Sequence, residues 1–211
     1  MPAPSSPLYA ATKRAADVAG AVVLGLLSLP LAAGIAAAVA AESGRPVFFR
    51  QTRAGRAGRP FTLWKFRTLY PGPHDPERPL ARVTRVGAWL RRWGLDELPQ
   101  LWNVVRGEMS LVGPRPALPE QAAAYDAYER QRLAVRPGLT GWAQIHGRNA
   151  LSWPERIRLD VWYVRHAGPL LDLRVLLRTP AALRSGAGVY GAGGRNPTFG
   201  PRAAAPETQP R

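Results

Sequence analysis

The chain carries one long apolar stretch, residues 18–41, with 24 consecutive positions free of charge. About 20 such residues are enough for a helix to cross a bilayer. Elsewhere the hydrophobic pattern is short and periodic. Residues 47–53 (VFFRQTR) and 60–67 (PFTLWKFR) are rich in aromatic and β-branched side chains, and Ala-Gly-Arg-Ala-Gly lies between them. This predicts a small β-hairpin. Val83, Val86, Gly87 and Leu90 share one face of a helix over 82–93. Leu98, Leu101, Trp102 and Val105 follow at i, i+3, i+4, i+7. That helix is expected to start near Leu95 or Asp96, with Pro99 in its first turn, where no donor is needed. Residues 118–134 predict a further helix. Ser152 and Glu155 form a capping box with Pro154 between them, opening a helix that reaches about His166. It presents Ile157, Val161 and Val164. Residues 170–184 alternate apolar and arginine positions at helical spacing, suited to a membrane surface or to docking on the core. Residues 71–80, 107–116 and 136–148 read as loops because Gly and Pro recur.

Three readings of residues 18–41 compete. A signal peptide has a shorter apolar region, about 7–15 residues. A spanning helix is the simplest reading. A re-entrant helix is the third, because Pro30 lies near the middle of the run and removes a helical hydrogen bond there. Ser28 stands close enough to satisfy backbone groups near that kink. Both flanks are also basic. Lys13 and Arg14 precede the run, and seven basic residues with no acid lie between Ser43 and His74. Positive residues favour the cytoplasmic side, so both flanks obey the rule only if the helix returns to the side it entered from.

Composition narrows the partners. The net charge is +15 over 211 residues. That calls for an anionic partner: nucleic acid, an acidic membrane surface or a phosphorylated substrate. The chain has no cysteine, which excludes disulfides and thiolate zinc sites. His74, His146 and His166 are too far apart for a zinc-ligand pattern and are expected to be surface or core residues. Residues 1–9 and 186–211 are expected to be disordered, leaving one domain over 10–185 with its membrane segment at about 18–41.

The candidate chemistry centres on Asp96 and Glu97. First-turn acids commonly do no more than favour the helix dipole, by about 0.3–1 kcal/mol. Here, however, arginines surround the pair: Arg82, Arg85, Arg91 and Arg92 before it, Arg106 and Arg115 after it. Carboxylates among guanidinium groups suit a phosphorylated substrate, with one carboxylate serving as nucleophile or metal ligand.

Seven stretches in order carry a family resemblance: Lys13-Arg14-x-x-Asp17, residues 46–51 (PVFFRQ), 65–68 (KFRT), 95–104 (LDELPQLWNV), 107–116 (GEMSLVGPRP), 136–144 (RPGLTGWAQ) and Leu159-Asp160-Val161-x-Tyr163. With these motifs the chain resembles the bacterial sugar transferases, small monotopic phosphoglycosyl transferases. The resemblance covers roughly residues 10–185. It implies a mainly helical α+β fold with a re-entrant membrane helix broken at Pro30, a small β-hairpin and amphipathic interfacial helices. It also implies transfer of a sugar 1-phosphate from a UDP-sugar to a polyprenol phosphate, at the cytoplasmic face of the cell membrane, with release of UMP. Asp96 matches the nucleophile and a Mg²⁺ ligand, and Glu97 matches its partner. Arg115 matches a phosphate-binding arginine, with Lys65, Arg67 and Arg136 as further phosphate contacts. Three positions depart from the family pattern: Gly94 where Ser is usual, Leu29 before Pro30, and Leu69 after the Lys-Phe-Arg-Thr run. The residues 147–153 (GRNALSW) resemble the branch acting on amino-deoxy sugars. A basic nucleic-acid-binding protein with a membrane anchor is the alternative that charge alone permits. It leaves the Asp96–Glu97 pair without a role.

Overall fold

The computed structural model describes residues 7–72, 80–186 and 188–189. The expectations for residues 1–6, for His74 and most of the 71–80 loop, and for nearly all of the C-terminal tail lie outside the described residues. Helix α1, Pro7–Ser43, begins inside the segment expected to be disordered and runs as one element through Pro30. The hydroxyl of Ser28 donates to the Gly25 carbonyl at 3.0 Å. That carbonyl is one residue before Leu26, whose helical partner Pro30 cannot supply.

Both ends of α1 are fastened to the same body. At the first end, the Arg14 guanidinium donates to the carbonyls of Val104 (2.7 Å) and Val105 (2.9 Å). Asp17, 5 % exposed, accepts from the Leu111 amide at 3.0 Å. Lys13 and Tyr9 both bond Asp172 at 2.8 Å, and Asp172 also accepts from Tyr163. At the other end, the Glu42 carboxylate accepts from the amides of Arg85 (2.8 Å) and Val86 (2.9 Å). This caps the positive end of helix α2, Arg85–Trp93. Ile35 and Val39 pack with Phe66 and Leu90 nearby. Between the two anchors, Val22, Val23, Leu24, Leu26, Leu27, Leu29 and Leu31 are exposed. An apolar surface of that extent marks a contact with lipid or another apolar partner.

The expected hairpin forms. Strands β1, Phe48–Ala54, and β2, Pro60–Phe66, pair antiparallel, with Gln51 opposite Leu63. Helix α2 starts at Thr84, whose hydroxyl accepts from the Gly87 amide. It ends at Gly94, in the left-handed conformation with φ 67°.

Several expectations are corrected. The helix expected from Leu95 or Asp96 is first a 3₁₀ turn, Leu95–Glu97, and becomes helix α3, Gln100–Arg106, only after Pro99. The bonds Leu98 N–H to Leu95, Leu101 N–H to Leu98 and Trp102 N–H to Pro99 are all of the tighter i→i−3 kind. The helix expected over 118–134 is split into α4, Pro119–Ala123, and a 3₁₀ segment, Glu129–Ala134. Asp126 divides them by accepting from the Glu129 amide, a local alternative to helical bonding. Two of the three expected loops, 107–116 and 136–148, contain strands β3, Ser110–Val112, and β4, Gly138–Thr140, paired parallel. Three residues are too few to show an alternation, so the pattern missed them. A short helix α5, Trp142–Ile145, follows.

Helix α6, Trp153–His166, begins at the expected Ser152–Glu155 cap and buries Ile157, Val161 and Val164. Helix α7 covers Pro169–Arg184. His146 and His166 are on the surface, His146 tilted against the Trp142 ring and His166 stacked on Trp162. The central core joins Ala21 of α1, Phe61 and Leu63 of β2, Leu101 and Val104 of α3, Val112 of β3, Tyr163 of α6 and Val175 of α7.

Candidate active site

The 3₁₀ turn sets Asp96 and Glu97 at the bottom of a cleft of about 290 Å³. Gly94 reverses the chain after α2, and α3 carries it away again. Asn103, fully buried on α3, holds this framework to the hairpin. Its amide donates to the Thr62 carbonyl (2.7 Å) and to Glu108 (2.7 Å), and its oxygen accepts from the Trp64 amide (3.3 Å).

The two carboxylates are treated differently. Glu97 Oε1 is held by Lys65 Nζ at 2.6 Å and Arg115 Nη2 at 2.8 Å. Burial works against its ionisation, but the charges and hydrogen bonds of Arg115 and Lys65 outweigh it and hold the carboxyl well below the usual range. Asp96 has Lys65 at 3.8 Å and, among the described residues, accepts no hydrogen bond. Burial raises its carboxyl above the usual range against the pull of Lys65, and the Glu97 charge adds to the rise. Glu97 is therefore a fixed counter-ion, and Asp96 is a carboxylate with free lone pairs facing the cleft.

The expected phosphate contacts divide. Lys65 and Arg115 stand on the carboxylate pair. Arg67 lines the cleft, but its Nη2 serves the Ser43 and Gly44 carbonyls at the end of α1. Arg136 is placed elsewhere: its Nε donates to the Gly107 carbonyl at 2.8 Å, and it does not line the cleft. Pro30 lies in α1, away from the chemistry. The cleft also gathers residues that the sequence reading did not pick out: Gln51, Arg53, Gln144, Arg148 and Arg156. The alternation along β1 was the available signal for the first two, since Phe49, Gln51 and Arg53 share a face. Gln144 and Arg148 lie in the quoted stretches 136–144 and 147–153, but nothing local marks Arg156.

Among the described residues, no three His, Asp or Glu side chains converge as a metal cage. Mg²⁺ needs none, since it is commonly held by one or two carboxylates, substrate phosphates and water. The uncommitted oxygens of Asp96 fit that mode. Beside the cleft, and sharing Phe66 with it, runs an apolar groove of about 850 Å³. It is lined by the middle of α1 (Gly25 to Ala36), Trp64 and the Leu98–Trp102 segment. Trp102, expected on the packed face of its helix, is 57 % exposed and forms part of this groove.

The bacterial sugar transferase family model matches residues 8–186. A sugar transferase of Bacillus subtilis, EpsL, is 44 % identical over 170 residues, which cover 79 % of this chain and 84 % of the relative. The undecaprenyl-phosphate glucose phosphotransferase of Komagataeibacter xylinus is 42 % identical over 184 residues, 79 % of this chain and 35 % of the relative. An N-acetylgalactosaminephosphotransferase of Aeromonas hydrophila, named as acting between UDP-N-acetylgalactosamine and undecaprenyl phosphate, is 38 % identical over 197 residues. That alignment covers 87 % of this chain and 46 % of the relative, so the chain spans less than half of the last two proteins. With a match across nearly all of its described length and the carboxylate pair in a basic cleft, the chain belongs to the bacterial sugar transferase family.

Proposed function

We propose that the chain transfers a sugar 1-phosphate from a UDP-sugar to a polyprenol phosphate such as undecaprenyl phosphate, with UMP as the other product. The relatives' names supply the substrate classes. The observation that carries the mechanism is the division of labour between the carboxylates, with Glu97 neutralised by two cations and Asp96 uncommitted. An Asp96 carboxylate oxygen attacks the β-phosphorus of the donor, and the bond from that phosphorus to the bridging oxygen breaks. UMP departs with the electron pair, leaving a sugar phosphate esterified to Asp96. A phosphate oxygen of the lipid then attacks the same phosphorus, restoring the Asp96 carboxylate and forming the sugar diphospholipid. Lys65 and Arg115 lie where phosphate charge would gather, and they lower the repulsion when one anion attacks another. Asp96 and the donor phosphates would hold Mg²⁺, which when bound neutralises the diphosphate.

The apolar groove suits the chain of the lipid acceptor, because it meets the cleft at Phe66 and would deliver a phosphorylated end to Asp96. The anchors at both ends of α1 support a helix that dips into the cytoplasmic leaflet and returns, and on that reading the cleft faces the cytoplasmic membrane surface. The nucleic-acid alternative draws no support from the relatives, and it gives the buried carboxylates no task. Either glucose or an N-acetylated hexosamine is compatible with the relatives' names.

The test is UMP release in detergent or nanodiscs with Mg²⁺, a panel of UDP-sugars and undecaprenyl phosphate. Asp96→Asn is expected to lower release by at least about a thousandfold. Without lipid acceptor, intact-mass analysis of the native protein should show one sugar phosphate added. Undiminished release by folded Asp96→Asn, together with no adduct, would exclude the covalent route.

A further inference from the structure

The cleft contains far more guanidinium groups than carboxylates, yet most of them are already occupied. Lys65 and Arg115 hold Glu97. Arg67 bonds carbonyls at the end of α1, and Arg91 donates to the Thr68 hydroxyl at 2.9 Å. Arg53 donates to Gln51 (2.7 Å) and to the Pro116 carbonyl (3.2 Å). Arg156 donates to the Arg148 carbonyl (3.1 Å) and lies over the Trp153 ring. Arg148 differs. Among the described residues its side chain makes no hydrogen bond and no ion pair, although it lines the cleft and its Nη1 is buried.

The backbone shows that this placement is enforced. Arg148 is in the left-handed region, φ 53°, which a side chain with a Cβ rarely adopts. Strain of this kind persists only where neighbours impose it, and it concentrates at ligand sites. Arg156, 8 % exposed, donates to the Arg148 carbonyl. Gly188 and Val189, which the sequence reading placed in a disordered tail, also lie against the loop. The Asn149 amide donates to the Gly188 carbonyl at 3.0 Å, and its side chain donates to the Val189 carbonyl at 2.9 Å. A side chain at 188 would meet the Gly147 carbonyl at 2.1 Å, so the approach requires glycine.

We propose that Arg148 binds the diphosphate of the donor, as the cleft's uncommitted guanidinium, held ready by Arg156 and by the Gly188–Val189 segment. It rests on the reading of this cleft as the UDP-sugar site. Burial lowers the affinity of Arg148 for its proton, while Glu97 and Asp96 are near enough to oppose that. A phosphate oxygen beside it would replace the missing hydrogen-bond partner, and the guanidinium fork can meet two oxygens at once.

The experiment is calorimetric titration of the full chain in nanodiscs with UDP, pyrophosphate and uridine, comparing native protein with Arg148→Ala, Arg148→Lys and the surface control Arg158→Ala. Unchanged melting temperatures establish that the variants are folded. Arg148→Ala should weaken UDP and pyrophosphate by about tenfold or more and leave uridine within about twofold. Arg148→Lys should fall between, because charge remains but the fork is lost. Arg158→Ala should match the native protein. Native affinity of folded Arg148→Ala for both UDP and pyrophosphate would overturn the assignment while leaving the donor site intact. Pyrophosphate binding that depends on Arg148, with no binding of UDP, would instead uphold the anion contact and overturn the nucleotide reading.

Discussion

Asp96 and Glu97 are neighbours with opposite electrostatic fates, and both fates are testable. Burial raises the Asp96 carboxyl, so its ionised fraction falls at a higher pH than for an ordinary carboxylate. Single-turnover UMP release should therefore fall on the acid side as pH drops through that raised value. Glu97→Gln removes a negative neighbour and frees Lys65 to face Asp96. Both changes favour ionised Asp96, so the acid limb should move to lower pH. Movement to higher pH would contradict this account. For stability the sign runs the other way. A carboxyl raised in the folded state stabilises the protein below its unfolded value, and that contribution is lost as pH rises through the folded value. At neutral pH the Asp96 charge is then a cost, and Asp96→Asn should raise Tm in a thermal melt. A rise of about 2–4 °C corresponds to ~1 kcal/mol in a domain of this size. A lower Tm would show that Asp96 contributes to stability.

Among the elements, α6 and the 129–134 segment are joined by a buried ion pair. Arg132, 3 % exposed, bonds Asp160, which is fully buried, and also the Tyr125 hydroxyl. Asp160→Asn would leave the guanidinium charge buried without its counter-ion, at a cost of about 3–5 kcal/mol. Chemical denaturation in detergent should show this as a lower midpoint. Helix α2 meets the strand end through Gly87. A Cβ there would stand 2.3 Å from the Thr68 carbonyl oxygen and 2.7 Å from its Cα. Gly87→Ala should therefore destabilise by about 1–3 kcal/mol, because backbone on both sides must shift. A neutral substitution would mean that α2 is free to move away from residue 68.

For the whole molecule, the topology of α1 is the decisive issue. Lys13, Arg14 and Asp17 near one end and Glu42 near the other bind the same body, although an apolar segment long enough to cross a bilayer lies between them. The chain has no cysteine, so single reporters can be placed without background. Cysteine at exposed Ala11 and, separately, at exposed Arg59 on the hairpin should react with a membrane-impermeant maleimide from the same side of sealed vesicles. Labelling from opposite sides would establish a spanning helix and sever the contacts that Arg14 and Asp17 make.

The sequence by itself determined what is local or long. The apolar run, the hairpin, the α2 face and the Ser152 cap each follow from periodicity or capping chemistry within a few residues. The Asp96–Glu97 pair was legible because its motif is contiguous. Tertiary structure alone decided which carboxylate is free, since Lys65 and Arg115 reach Glu97 from elements 32 and 18 residues away. It also separated Arg136 from the cleft and brought in Arg148 and Arg156. Arginine is frequent along this chain, and its positions carry no periodic signal that marks which ones converge. The three-residue parallel pair β3–β4 exists because a backbone ladder forms between segments too short to be patterned. Direction and proximity of long side chains are properties of the packed molecule, because they depend on which backbone segments the core draws together.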